Sequence, residues 1–145
     1  MTNPVNLTCA NCNITNRVPA QRIADAPKCG KCGKPVLTGK PMSLTSGNVA
    51  ALLNNNSVPV LVDCWANWCG PCKSFAPVFE QAAQKLEPRL RFAKLDTEAE
   101  PQLASRWVIQ SIPTLILFRN GKESARLSGA LSFTQLEQWL QQQGV

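Results

Sequence analysis

The sequence predicts an α/β protein: a central mixed β-sheet flanked by helices, preceded by a small ribbon tied together by four cysteines. Three observations predict it. Two C-x-x-C turns, Cys9 to Cys12 and Cys29 to Cys32, lie sixteen residues apart near the start of the chain. A valine-rich run from Val58, VPVLVDCW, passes through a short break into an apolar pattern with helical spacing. Beyond it, short apolar runs alternate with helical patterns and an Asn-Gly turn.

The 145 residues, 44% hydrophobic and 17% charged, suffice for one ordinary domain with an appendage. No apolar run approaches the roughly 18 residues that a membrane span needs, so a soluble globular protein is expected. Met1 to Cys12 lacks the basic stretch and apolar block of a secretory leader, which makes the cytoplasm the expected location. The chain has no histidine, so histidine-based triads are excluded and any base, ligand or nucleophile-activating group must be Cys, Asp, Glu or Lys.

Charge and cysteines divide the chain into a ribbon at 1–41 and a larger domain at 42–145. Of the net charge of +6, +5 falls on residues 1–45, where Arg17, Arg22, Lys28, Lys31, Lys34 and Lys40 face only Asp25. Cys9, Cys12, Cys29 and Cys32 have the spacing of a four-thiolate zinc site, in which two C-x-x-C turns close a tetrahedron with no open position. Gly30 and Gly33 suit a tight loop, and the nearby lysines offset the formal −2 of such a centre. Val5, Leu7, Ile14, Val18, Ile23, Val36 and Leu37 are too few to fold alone, so one structural zinc per chain would supply most of the ribbon's folding free energy, on the order of 10 kcal/mol. Disulfide pairing is the competing reading, opposed by a reducing compartment. Nucleic-acid binding is disfavoured because the segment has no aromatic residue to stack on bases.

The elements of the larger domain follow in order. A helix over Ser46 to Asn55 precedes the Val58 strand, whose apolar continuity suits burial on both faces. After Ala66-Asn67 comes Trp68-Cys69-Gly70-Pro71-Cys72, and Phe75, Val78, Phe79, Ala82, Ala83 and Leu86 then mark the apolar face of a long helix. Pro71 fits its first turn, whereas Pro77 lies in its interior and is expected to kink it. Arg91 to Asp96 predicts a strand, and Thr97 with Glu100 a capping box, though Pro101 leaves that helix start ambiguous before Trp107. Thr114 to Phe118 and Glu123 to Ser128 form a hairpin across Asn120-Gly121, and Ser132 with Gln135 caps a last helix carrying Phe133, Leu136, Trp139 and Leu140. Trp65, Trp107 and Trp139 are expected inside, and Cys64 as a small core hydrophobe.

Chemistry concentrates where strand passes into helix. A thiol at a helix N-terminus meets unpaired N–H groups and the positive end of the dipole, so its thiolate is favoured. Cys69 is expected at an exposed lip beside Trp68 as the nucleophile, with Cys72 one turn inward and shielded, on the same helical face and within bonding reach. Cys69 would attack a disulfide in a target protein, and Cys72 would then resolve the mixed disulfide. Asp63, a lone carboxylate in an apolar strand, needs a partner, and its burial should raise its pKa.

VLVDCWANWCGPCKSFAP, SIPTLILFRNGK and Gly129-Ala130-Leu131 resemble thioredoxin over about residues 42–145, and with the ribbon in front the chain resembles the bacterial thioredoxin-2 type with its N-terminal zinc-binding extension. The resemblance implies the thioredoxin fold, protein-disulfide reduction without an organic cofactor, and re-reduction by an NADPH-dependent thioredoxin reductase. It implies that Asp63, with Lys94 beside it, relays a proton for Cys72, and that Ile112-Pro113 forms a cis-proline loop whose Ile112 backbone pairs with the target. Trp68, Gly70, Pro71 and Gly129 match the family's rim that contacts client proteins. A monomer is expected. Two other readings stand beside it: a zinc-ribbon interaction module on a thioredoxin platform, and a disulfide isomerase or oxidant, which the Gly-Pro pair between the cysteines opposes.

Overall fold

The computed structural model describes residues 4–145, so residues 1–3 of the expected ribbon, and of the segment inspected for a leader, lie outside the described residues. Among those described, no helix is long and apolar enough to cross a membrane. The ribbon opens with an antiparallel hairpin, β1 (Pro4–Thr8) and β2 (Thr15–Pro19), whose connection is the first C-x-x-C turn. A 3-10 segment, Ala20–Asp25, leads to the second turn, closed by a bridge between Lys28 and Pro35. Gly33 there has φ of 76°, a left-handed conformation that suits glycine. Leu7, Cys9, Val18, Cys29 and Val36 are the buried residues of this small core, with Val58 of the larger domain packed against it.

The larger domain contains β3 (Met42–Ser43), α1 (Val49–Asn54), β4 (Val60–Trp65), α2 (Gly70–Leu86), β5 (Arg91–Asp96), α3 (Pro101–Arg106), β6 (Thr114–Arg119), β7 (Lys122–Ser128) and α4 (Phe133–Gln142). The sheet order is β3-β5-β4-β6-β7, parallel at β3/β5 and β5/β4 and antiparallel at β4/β6 and β6/β7. The period-2 alternation of strand side chains divides the core into two layers. Val60, Val62, Cys64, Ala93, Leu95, Ile116 and Phe118 meet Leu52 and Leu53 of α1 and Leu103 of α3. Leu61, Phe92, Leu115 and Leu117 meet Phe75, Phe79, Ala82 and Ala83 of α2 and Leu136 and Leu140 of α4. Trp107 is half-buried with its ring centroid 5.1 Å from that of Phe118, and Trp139 packs half-buried against the second layer.

Several local expectations change. The first helix begins at Val49 and not at Ser46, because Thr45 and Asn48 bond one another: the Thr45 N–H donates to Asn48 Oδ1 at 2.7 Å and the Asn48 N–H to Thr45 Oγ1 at 3.3 Å. Such side-chain turns compete with helical bonding. The Thr97–Glu100 capping box does not form. Thr97 Oγ1 donates to the Trp65 carbonyl at 3.0 Å, Asp96 Oδ1 accepts from the Glu98 and Ala99 N–H groups, and Pro101 sets the start of α3 behind Glu100. Pro77 lies inside α2 as expected, and the helix runs on to Leu86.

Two turn expectations hold. Asn120 and Gly121 have φ of 53° and 80°, the positive values that a tight primed hairpin turn demands. Ser132 Oγ accepts from the Gln135 N–H at 3.2 Å while Gln135 Oε1 accepts from the Ser132 N–H at 2.9 Å, a complete capping box. Ser132→Ala is therefore expected to destabilise the chain by about 1 kcal/mol, read as a lower urea midpoint at unchanged slope.

Candidate active site and metal centre

Cys69 is the N-cap of α2, and its Sγ accepts the Cys72 N–H at 3.2 Å. A sulfur thus takes the place usually filled by a Ser or Asp oxygen at a helix start. The two sulfurs are joined in a disulfide across a Cα–Cα distance of 5.2 Å. The expected contrast between an exposed Cys69 and a shielded Cys72 is absent: they are 4% and 3% exposed. Both sulfurs are occupied by their mutual bond, and Trp65, Ala66 and Ile112 pack around the pair. What separates the two is the capping position, and Cys69 Sγ lies 3.8 Å from the Ile112 carbonyl oxygen.

The structure gathers the expected rim around this point. Trp68 is 72% exposed, Gly70 and Pro71 are exposed, and Ile112 is half-buried. The Ile112–Pro113 peptide is cis. The Gly129 N–H donates to the Pro113 carbonyl at 2.9 Å, which ties the Gly129 loop to the proline loop.

Asp63 is fully buried, and neither of its oxygens has a hydrogen-bond partner among the described residues. The partner expected from sequence is therefore missing. Strand parity places Asp63 on the same face as Leu61, beneath the layer that α2 covers, and pairs it in register with Lys94 of β5. Lys94 Nζ sits 4.9 Å from the centroid of the Trp65 ring, a cation–π arrangement, and acts on Asp63 through space. Burial pushes the Asp63 carboxyl up to about 7, with Lys94 opposing the rise. Cys64 points to the opposite layer, fully buried among apolar side chains, and burial pushes its thiol up to about 12. A group held so firmly neutral is a poor nucleophile.

In the ribbon, the Sγ atoms of Cys9, Cys12, Cys29 and Cys32 all lie within 4.8 Å of one another, with Cys9 to Cys32 and Cys12 to Cys29 each at 3.6 Å. A Zn–S bond of about 2.3 Å implies sulfur–sulfur edges of about 3.8 Å in a tetrahedron, so the donor set fits a zinc ion. The four are free thiols, not disulfides. Cys29 Sγ accepts from the Lys31 N–H at 3.4 Å and Asn16 Nδ2 at 3.5 Å, and Cys9 Sγ from the Asn11 N–H at 3.3 Å. The Cys32 N–H, with Asn16 and Lys31, holds the Cys29 thiol down to about 6. Although the Ile14 N–H favours its thiolate, Cys12 is pushed up to about 11 by desolvation and by its sulfur neighbours. Four thiols this close cannot all ionise without a cation among them.

The family model described as "Thioredoxin" matches residues 40–142. The chain belongs to the thioredoxin family. A second, zinc-ribbon model described as "Thioredoxin 2, N-terminal" matches residues 8–34, which hold all four ribbon cysteines. The chain is 47% identical over 137 residues to thioredoxin C-3 of Corynebacterium nephridii, covering 94% of each chain. It is 42% identical over 92 residues to a bifunctional thioredoxin reductase/thioredoxin of Mycobacterium leprae, covering 63% of this chain and 20% of that one. The crystal structure of Malassezia sympodialis thioredoxin superposes with a TM-score of 0.67 at 28% identity, covering 76% of this chain and 96% of that one. As a thioredoxin, the chain is a thiol–disulfide oxidoreductase with protein-disulfide reductase activity.

Sequence reasoning passed over Arg91, which counted only as the first residue of a strand. Its side chain is fully buried where the ribbon meets the domain. The available signals were a guanidinium at the head of an apolar strand and Glu87 four residues before it.

The Asp63 carboxyl generates a stability prediction. The folded chain holds this proton up to about pH 7, whereas an unfolded chain releases it near its ordinary value of 3.8. The folded state therefore binds more protons between those values, so stability falls as pH rises through that window and stays lower above it. Asp63→Asn is expected to be more stable than wild type at about pH 8, by on the order of 4 kcal/mol at most, with the gap closing below about pH 4. Urea unfolding of both oxidised proteins at the two pH values checks this.

Proposed function

We propose that this thioredoxin reduces disulfides in other proteins by dithiol–disulfide exchange at Cys69 and Cys72 and is itself re-reduced by an NADPH-dependent thioredoxin reductase. The observation that carries the reading is the Cys69 sulfur at the N-cap of α2, accepting the Cys72 N–H, with the Cys72 sulfur within bonding distance. In the reduced form the same N–H stabilises a Cys69 thiolate.

That thiolate attacks one sulfur of a client disulfide, forming a Cys69–client bond and releasing the client's other sulfur as a thiolate. Cys72, losing its proton, then attacks Cys69 Sγ, which closes the internal disulfide and frees the second client thiol. Two electrons pass from this chain to the client. Burial brings the Asp63 carboxyl to titrate near neutral pH, so its ionised fraction is suited to accept the Cys72 proton, with Lys94 favouring that charged form. Ile112, with its carbonyl near Cys69, offers backbone to an extended client segment, and Pro113 holds that loop. Trp68, Gly70, Pro71 and Gly129 form the surrounding contact surface. The Mycobacterium leprae relative, whose name joins reductase and thioredoxin, supports a reductase as electron source. Five cysteines outside any disulfide favour a reducing compartment, which we take to be the cytoplasm.

We read Cys9, Cys12, Cys29 and Cys32 as the ligands of one structural zinc ion. Zinc would supply a fixed tetrahedral knot there, with no coordination position left for substrate. Metal analysis of the reduced, purified chain is expected to give one zinc per chain, and Cys29→Ser to reduce it severalfold. In an NADPH-coupled assay with a thioredoxin reductase and insulin, Cys69→Ser is expected to lose at least 99% of the wild-type rate. A variant retaining the full rate would refute the assignment of Cys69.

A further inference from the structure

The Arg91 guanidinium has five N–H groups, and five acceptors surround it. Nη1 reaches the Thr8 carbonyl at 2.8 Å and Asn56 Oδ1 at 3.0 Å. Nη2 reaches the Val36 carbonyl at 3.4 Å and Met42 Sδ at 3.3 Å. Nε bonds Glu87 Oε2 at 3.1 Å, in an ion pair whose side chains are almost wholly buried. Thr8 and Val36 belong to the ribbon; the other three acceptors belong to the larger domain.

The ribbon groups are tied to the four-cysteine cluster. Thr8 directly precedes Cys9, and all its polar atoms are engaged: its N–H donates to Asn56 Oδ1 at 3.0 Å, its Oγ1 accepts from Asn56 Nδ2 at 3.0 Å, and its carbonyl accepts from Arg91. The Val36 carbonyl also accepts the N–H of Ala10, inside the first C-x-x-C turn, at 3.1 Å. Arg91 and Asn56 thus fix the backbone on which Cys9 is mounted.

We propose that Arg91, with Asn56, is a positioning residue for the metal centre, so that zinc occupancy of the four cysteines and order at the head of β5 form one coupled equilibrium. This rests on the reading of the cluster as a zinc site. Metal loss releases the C-x-x-C turns, and Arg91 then loses the two ribbon acceptors, the Thr8 and Val36 carbonyls. A buried cation stripped of partners is costly, so the domain feels the loss of the metal. Coupling is reciprocal: whatever zinc contributes to order around Arg91, Arg91 contributes to zinc affinity.

The test uses the full-length chain with its thiols reduced. Zinc affinity is measured by competition with a chromophoric chelator for wild type, Arg91→Lys, Arg91→Met and Asn56→Ala, with near-ultraviolet circular dichroism verifying the fold of each variant. Zinc is expected to bind at least tenfold more weakly to Arg91→Met and Asn56→Ala although all four ligands remain. Arg91→Lys should fall between, since an ammonium keeps the charge but not the fork. Wild type also supplies a readout that needs no variant: stripping zinc should speed amide exchange at Arg91 and Phe92 at least tenfold while leaving α4 unchanged. Unaltered zinc affinity in a folded Asn56→Ala, or unaltered exchange at β5, overturns the coupling with the zinc reading intact. A wild-type chain that takes up no zinc overturns both.

Discussion

Two-sided burial of β4 is the constraint on which the rest of the molecule depends. Its neighbours β5 and β6 take up its backbone polar groups, and helices cover both faces. Successive side chains must then alternate between two dry layers. Leu61 faces one layer, Val60, Val62 and Cys64 the other. The same alternation puts Asp63 under the α2 layer and Cys64 away from it. A carboxylate and a thiol one residue apart therefore have unrelated fates.

The strand also delivers the chain to the start of α2, where a second electrostatic arrangement meets the first. The helix terminus presents N–H groups that favour negative charge on Cys69, while the apolar layer opposes negative charge on Asp63. An acid group titrating near neutrality thus lies in the strand that leads to the helix start whose N–H groups face Cys69. The exchange proposed above draws on both, on Cys69 as nucleophile and on Asp63 as proton acceptor for the second thiol.

The ribbon is stabilised by different means. Among the described residues its buried apolar core consists of five, two of them cysteines of the four-thiol cluster, and hydrogen bonds join it to the domain beside the apolar contacts of Ala10 and Val58. Asn6 with Ser57, Thr8 with Asn56, the Gly39 N–H with Glu87, and Arg91 with both sides make up that seam. Such a seam requires every buried donor and acceptor to be matched, which fixes one relative placement more sharply than an apolar contact would. Buried polar networks are also sensitive to loss of any member.

The sequence by itself determined the α/β class, β5 and β6 to within one residue, the Asn120-Gly121 turn, the Ser132 cap and the cysteine spacings. These are legible because each depends on residues close together in the chain, whose periodicity and turn chemistry act locally. The tertiary structure alone decided the ribbon hairpin, the two-residue β3, the delayed start of α1, the failure of the Thr97 cap, the closure of both Cys69 and Cys72, and the burial of Arg91. Pro4 to Thr8 has no strand pattern until β2 lies beside it, and Arg91 looks like any surface cation until Thr8 and Val36 arrive from more than fifty residues away. Their energies come from hydrogen bonds and desolvation across the fold, and a linear pattern carries no record of which distant groups will meet.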